Sequence, residues 1–188
     1  MTPPLRTTRL ELRSFSLEDA PEMQRLLDDL EIADHTLTIP HPLPEGFSEA
    51  RITRDLEREG QSFYAWGLFL LEPSRFETGS FEWGAMVGRI GLSWDAKHRR
   101  GGLGYWVARA ARGRGLMTEA LLRVVRFSFE EIGLHRLEAS HFPRNPASGR
   151  VLEKAGFTRE GLLRGAVWKN EKPEDVIQYA ILSTDEPA

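Results

Sequence analysis

Arg109-Ala110-Ala111-Arg112-Gly113-Arg114-Gly115-Leu116-Met117-Thr118-Glu119-Ala120 separates a short aromatic run from the most regular helical pattern in the chain. Its two glycines let the backbone turn tightly and come close to a ligand. The free N–H groups of a helix starting here point at whatever occupies the loop and favour negative charge. Arg112 and Arg114 add guanidinium donors that grip phosphate oxygens in pairs. A pyrophosphate suits these properties, and a glycine-rich turn with solvated arginines accounts for the same residues. No G-x-x-x-x-G-K-[ST] string occurs, which excludes a Walker A loop. A G-x-G-x-x-G dinucleotide fingerprint fails at Thr118, where a third glycine would be needed for close helix–strand packing.

Downstream, Leu116, Ala120, Leu121, Val124, Val125, Phe127 and Ile132 recur at helical spacing. They predict a helix from Gly115 to Ile132 with Gly133 as its stop. His135 to His141 reads as a strand, and Pro146 to Ala155 as a helix opened by proline. Upstream, Phe63 to Leu71 and Met86 to Trp94 read as strands, Gly101-Gly102 as a turn and Leu103 to Val107 as a further strand. Leu10 to Arg13 alternates like a strand, Ser16 with Asp19 caps a helix running to about Asp29, and Ser48 to about Gly60 forms another. Residues 72–84 read as an exposed connection, and Phe157 to Arg164 and Val176 to Leu182 as closing strands. Hairpins thus surround one strand–helix–strand–helix unit, which predicts an α/β (mixed α+β) fold. Without repeats or low-complexity tracts, residues 5–183 are expected to form one domain.

Composition narrows the function classes. The 188 residues are 40% hydrophobic and 28% charged, near globular averages. No apolar run approaches the ~18 residues of a membrane span, and the N-terminus lacks a signal-peptide pattern, so a cytoplasmic protein is expected. The absence of cysteine removes disulfides, thiol catalysis and cysteine-ligated metals together. The net charge of −3 is unevenly distributed: Lys97 to Arg126 holds eight basic residues against Glu119 alone, so this window is +7 and the remainder −10. A basic segment in an acidic chain reads as a local anion site rather than a nucleic-acid surface, and a solvated arginine face is the competing account. The acidic remainder suits a cationic substrate.

Several separated motifs occur in order: Gly104-Tyr105-Trp106-Val107, the glycine loop, Gly133-Leu134-His135-Arg136-Leu137-Glu138-Ala139, Asn145-Pro146-Ala147-Ser148 and Val151-Leu152-Glu153-Lys154-Ala155-Gly156-Phe157. With Thr8-Arg9-Leu10-Glu11-Leu12-Arg13 near the start and Arg164-Gly165-Ala166-Val167-Trp168 near the end, this resembles the GCN5-related N-acetyltransferases (GNAT), and among them the RimJ/RimL-like branch that acetylates protein N-termini. The resemblance implies a mixed, mostly antiparallel sheet of about six to seven strands, with about four flanking helices and two central parallel strands splayed around acetyl-CoA. The family's pyrophosphate loop, [QR]-x-x-G-x-[GA], maps onto Arg112, Gly113, Arg114, Gly115, Leu116 and Met117, with Met117 where Gly or Ala is usual. The resemblance also implies that Trp106 and Val107 pair with pantetheine as an added strand.

The implied reaction is attack of a neutral amine on a thioester, which needs proximity, an oxyanion donor and a base. Glu138 is the candidate base, with an ion pair to Arg136 or Arg144 as the alternative. By resemblance Ser148 approaches the CoA sulfur and protonates the leaving thiolate, or else it only helps cap its helix. Asn145 contacts pantetheine or caps the same helix. Many family members carry a tyrosine acid where Leu152-Glu153 stands, and the branch often has glutamate at Gly102; both are missing here. His135 and His141 rank lower, Trp83 is a candidate pocket wall, and no histidine pair has metal-ligand spacing, so no metal is expected. The leading reading is acetylation of a protein or peptide N-terminus. A small amine acceptor and a non-catalytic CoA-binding sensor or scaffold are the alternatives, and homodimerisation stays open.

Overall fold

A computed structural model describes residues 1–76, 79–82 and 84–185. The chain opens with β1 (Leu5–Arg6) and β2 (Leu10–Arg13). Three helices follow: α1 (Ala20–Leu27), α2 (Leu30–His35) and α3 (Phe47–Arg58). Next come β3 (Phe63–Leu70), the small hairpin of β4 (Ser74–Phe76) and β5 (Gly79–Phe81), and the long antiparallel pair β6 (Met86–Asp95) and β7 (Arg100–Val107). Then α4 (Leu116–Glu130), β8 (Arg136–His141) and α5 (Pro146–Lys154) lead to the terminal hairpin of β9 (Thr158–Lys169) and β10 (Lys172–Leu182).

Among the described residues the main sheet has eight strands in the order β1-β2-β3-β6-β7-β8-β10-β9. Every neighbouring pair is antiparallel except β7 and β8. This is the mixed sheet expected, with one strand more than the six to seven anticipated, because Leu5–Arg6 pairs with Leu12 and Glu11 as a short edge too brief to show periodicity. The described residues form five α-helices where about four were anticipated. The extra one is α2, which follows directly on the helix expected from Ser16 to about Asp29 and lies beyond its range. Ser16 and Asp19 do form the expected cap, Ser16 N–H donating to Asp19 Oδ2 at 2.8 Å. At Asp29, however, the side chain accepts from Glu31 N and Ile32 N and restarts the chain as α2, a separate helix.

Two other expectations are corrected. Gly101-Gly102 is not a turn but part of β7, since a Cβ at Gly101 would lie 3.0 Å from Leu134, Leu137 and Leu92 side chains. There glycine serves close packing, and the turn falls earlier, where Arg99 takes a φ of +50°. The stretch read as an exposed connection contains the β4–β5 hairpin. Trp83 lies outside the described residues.

The sheet carries helices on both faces. Leu116, Ala120, Leu121, Val124 and Phe127 of α4 pack with Leu10, Leu12, Trp66 and Leu68, and Leu152 of α5 joins them. On the opposite face Met23 and Leu27 of α1, Ile32 of α2 and Ile52 of α3 pack on Phe69, Met86 and Trp106. Leu121 and Leu68 are wholly buried, and each such side chain contributes about 1.5–3 kcal/mol by leaving water. Residues alternate along β7, so Tyr105 belongs to the α4 side and Trp106 to the α1–α3 side.

Candidate active site

The parallel strands β7 and β8 pair only from Arg100–Gly102 against Arg136–Glu138. Beyond that point β7 continues to Val107 and β8 to His141 without further pairing between them. Strands that part in mid-sheet leave backbone groups open for a ligand, and a cavity of about 680 Å³ fills the gap. One wall is Leu103 to Val107, and the other is Ser140, His141, Phe142 and the start of α5 from Asn145 to Ser148. Residues of α2, with Arg51 and Arg89 from α3 and β6, close the α1–α3 side.

At the far end of β7 the glycine loop has the conformation the sequence suggested. Gly113 and Gly115 take φ of +74° and +75°, a region that penalises any side chain, and a Cβ at Gly113 would meet nothing within 4 Å. Gly115 is the N-cap of α4, so the first free N–H groups of a 15-residue helix face the loop. Leu116 and Met117 are buried in the core, which leaves their backbone N–H groups as what they can offer a ligand. Hence methionine at 117 is compatible with the loop geometry. Arg112 lines the cavity and pairs with Glu31 of α2 at 2.6 Å.

Asn145 caps α5, its side-chain oxygen accepting from Ser148 N at 3.2 Å, and it also lines the cavity. Ser148 lines the cavity, and its Oγ lies 2.8 Å from the hydroxyl of Tyr105 on the facing strand. Tyr105 is a functional candidate that the sequence did not single out. Burial first, and Tyr179 nearby, raise its hydroxyl pKa above the ordinary value despite the Ser148 bond. Tyr179 is itself tied to Glu153, at 3.0 Å. His141 is buried, with its Nδ1 2.8 Å from the Phe142 carbonyl, so Nδ1 carries the proton. Its Nε2 has no hydrogen-bond partner and faces Gly149, where a Cβ would sit 2.8 Å away.

Glu138 is not brought into the cavity wall. It stands beside Gly102 at the last paired position of the parallel strands, and its Oε1 accepts from Arg136 Nε at 2.7 Å. Arg136 also holds Glu160 through two bonds, and these carboxylates raise its pKa. Glu138 shares its strand face with Ser140, which does line the cavity. Arg144 turns away to Asp34 and Glu174. His135 lies outside the cavity lining, its Nδ1 3.1 Å from Ser183 Oγ. Among the described residues no group of three His, Cys, Asp or Glu could hold a metal ion.

A family model described as an acetyltransferase (GNAT) domain matches residues 9–158. The chain belongs to the GNAT family. By family it is an N-acetyltransferase. It is 30% identical to "Uncharacterized N-acetyltransferase YoaA" of Bacillus subtilis over 99% of this chain and 100% of that one. It is 49% identical to "Probable N-acetyltransferase YjcK" of the same organism over an 84-residue stretch, 45% of this chain and less than half (46%) of that protein. The "[Ribosomal protein uS5]-alanine N-acetyltransferase" of Escherichia coli is 28% identical over 77% of this chain and 71% of its own. Among solved structures, Mycobacterium smegmatis RimJ in complex with CoA-disulfide superposes with a TM-score of 0.79 at 22% identity, over 96% of this GNAT chain and 86% of that one.

Proposed function

We propose that this GNAT chain transfers an acetyl group from acetyl-CoA to a primary amine, the N-terminus of a protein or peptide, with residues 5–183 acting as one cytoplasmic domain. The observation that carries this reading is the continuity of one cavity from Arg112 at the glycine loop to Ser148 between the parted strands. It allows an extended ligand with its anionic end at the loop and its reactive end beside Ser148. The E. coli relative is named for an acetyl transfer to a ribosomal protein, and the M. smegmatis neighbour was solved with CoA.

In this reading the pyrophosphate sits on the backbone N–H groups of the Gly113–Met117 nest, with Arg112 and Arg114 beside it. Trp106 and Val107 offer backbone groups to pantetheine in the manner of a neighbouring strand. Holding thioester and amine in one cleft removes much of the entropic cost of their encounter. The amine lone pair attacks the thioester carbon, the oxyanion collapses and the C–S bond breaks. Ser148, backed by the raised-pKa Tyr105 hydroxyl, supplies the proton for the departing sulfur. The amine proton leaves through water towards Glu138 at the point where the strands part. Such relayed transfer lies within the reach of general-base catalysis.

Mass spectrometry after incubation with acetyl-CoA and a panel of peptides and small amines tests the proposal. A mass increase of one acetyl group on peptide N-termini supports it. Acetylation of small amines alone selects the small-molecule alternative, and CoA binding without transfer to any acceptor selects the sensor.

A further inference from the structure

Arg51 and Arg89 both line the α1–α3 side of the cavity, and they share one carboxylate. Arg89 is hydrogen-bonded to it: its Nε and one terminal nitrogen donate to Asp55 Oδ2 at 3.0 and 2.6 Å, with both side chains almost wholly buried. Arg51 is not. Its Nε stands 3.6 Å from Asp55 Oδ1, beyond hydrogen-bond distance, and has no hydrogen-bond partner although it is buried. One of its terminal nitrogens donates weakly to Thr38 Oγ1, at 3.3 Å. Two guanidinium groups against one carboxylate leave about one unit of positive charge in this wall. Arg54 and Arg58 add to the same field, and Glu31, the acidic residue lining the cavity, is occupied by Arg112.

We infer that the acceptor amine carries a carboxylate, which binds Arg51 at this end of the cleft. The inference rests on the acetyltransferase reading. An under-paired guanidinium in a cavity also lined by apolar Ile32, Ile39 and Trp106 is costly to bury, and a carboxylate matches its fork of donors. Burial, and then the charge of Arg89, lowers the Arg51 pKa to about 10, so it remains charged at neutral pH. The cation does not belong to the pyrophosphate site. Arg89 stands opposite Trp106 on the α1–α3 face, whereas the nest opens α4 on the other face. A cationic acceptor, as the acidic remainder of the chain suggested, does not suit this wall, because net charge sums the whole surface and not the cleft.

The carboxylate can come from an acidic second residue of a peptide or from a small amino acid, and the test separates the two. C-terminally amidated Ala-Glu-Phe, Ala-Gln-Phe and Ala-Lys-Phe form one arm, and β-alanine against propylamine the other. With saturating acetyl-CoA, the carboxylate member of at least one arm is expected to exceed its neutral partner in kcat/KM by roughly 10–100-fold. Arg51→Gln should erase that preference, and Arg51→Lys should restore part of it. Calorimetry of Ala-Glu-Phe amide and of β-alanine against the CoA-loaded protein reads the site without turnover. Binding that requires Arg51 but yields no acetylation upholds the site and overturns the acetyltransferase reading. Turnover indifferent to the carboxylate and to Arg51 overturns the site and leaves that reading standing. Neither binding nor turnover overturns both.

Discussion

The Tyr105 hydroxyl and Ser148 Oγ meet at 2.8 Å across the gap between a central strand and the first turn of α5. The contact links the two walls of the cleft and places a second proton-bearing group behind the serine. Because burial raises the Tyr105 pKa, its hydroxyl stays protonated through the neutral and mildly alkaline range.

Replacing Ser148 by Ala should therefore lower kcat by roughly 10–100-fold, near the low end of general-acid effects, with the KM for acetyl-CoA nearly unchanged. Tyr105→Phe should give a smaller loss in the same direction, and the double variant should be little worse than Ser148→Ala, as expected of groups acting in series. Both losses should persist at high pH. Additive losses in steady-state assays would show that the two residues act separately.

Glu138→Gln should behave differently with pH. If relayed proton removal depends on this carboxylate, kcat should fall by about 10²-fold at pH 7. The defect should shrink as pH rises past the ~8 at which an α-amino group loses its proton unaided. CoA affinity should not change. Near-normal turnover at pH 7 would leave Glu138 with its ion pair to Arg136 as its only role.

The glycine nest predicts a binding defect. Gly113→Asp with Gly115→Asp places side chains at φ near +75° and adds negative charge where N–H groups converge. Calorimetry should find CoA binding lost while circular dichroism keeps its folded signal. Retained micromolar binding by the folded variant would remove the loop from the site.

Glu31 competes with any phosphate for Arg112, which it holds at 2.6 Å. Glu31→Gln should tighten CoA binding by about 2–5-fold at low salt, the range of a half-exposed ion pair, and the gain should fade at high salt. Unchanged affinity at low salt would mean that Arg112 does not reach the phosphates.

The long periodic elements were legible in the sequence because one physical requirement governs each of them. The apolar stripe of α4 must face the sheet, and Gly113 and Gly115 must adopt positive φ. Local signals misled where packing decides. Gly101-Gly102 resembles a turn by composition but lies in a strand where Leu92, Leu134 and Leu137 allow no side chain. Helix α2 went unread because six residues are too few to show a period, and its one local signal is the Asp29 cap. The cleft's loop and the start of α5 were readable as contiguous motifs. Tyr105, Arg51, Arg89 and Asp55 were not, because they come from β7, α3 and β6 and meet only through the register of the sheet.

Helix α2 supplies Glu31, Ile32 and His35 to the cavity and is fastened at both ends by cations from other parts of the chain. Arg112 of the nest holds Glu31, Arg144 after β8 holds Asp34, and Lys169 at the end of β9 donates to the carbonyls of Ala33 and Thr36. Six residues with two buried side chains have little apolar grip of their own. This wall of the cleft is thus held largely by charged side chains while the sheet is held by hydrophobic packing. Ionic strength should act on the two separately, weakening the ion pairs of this wall well before it affects the melting of the fold.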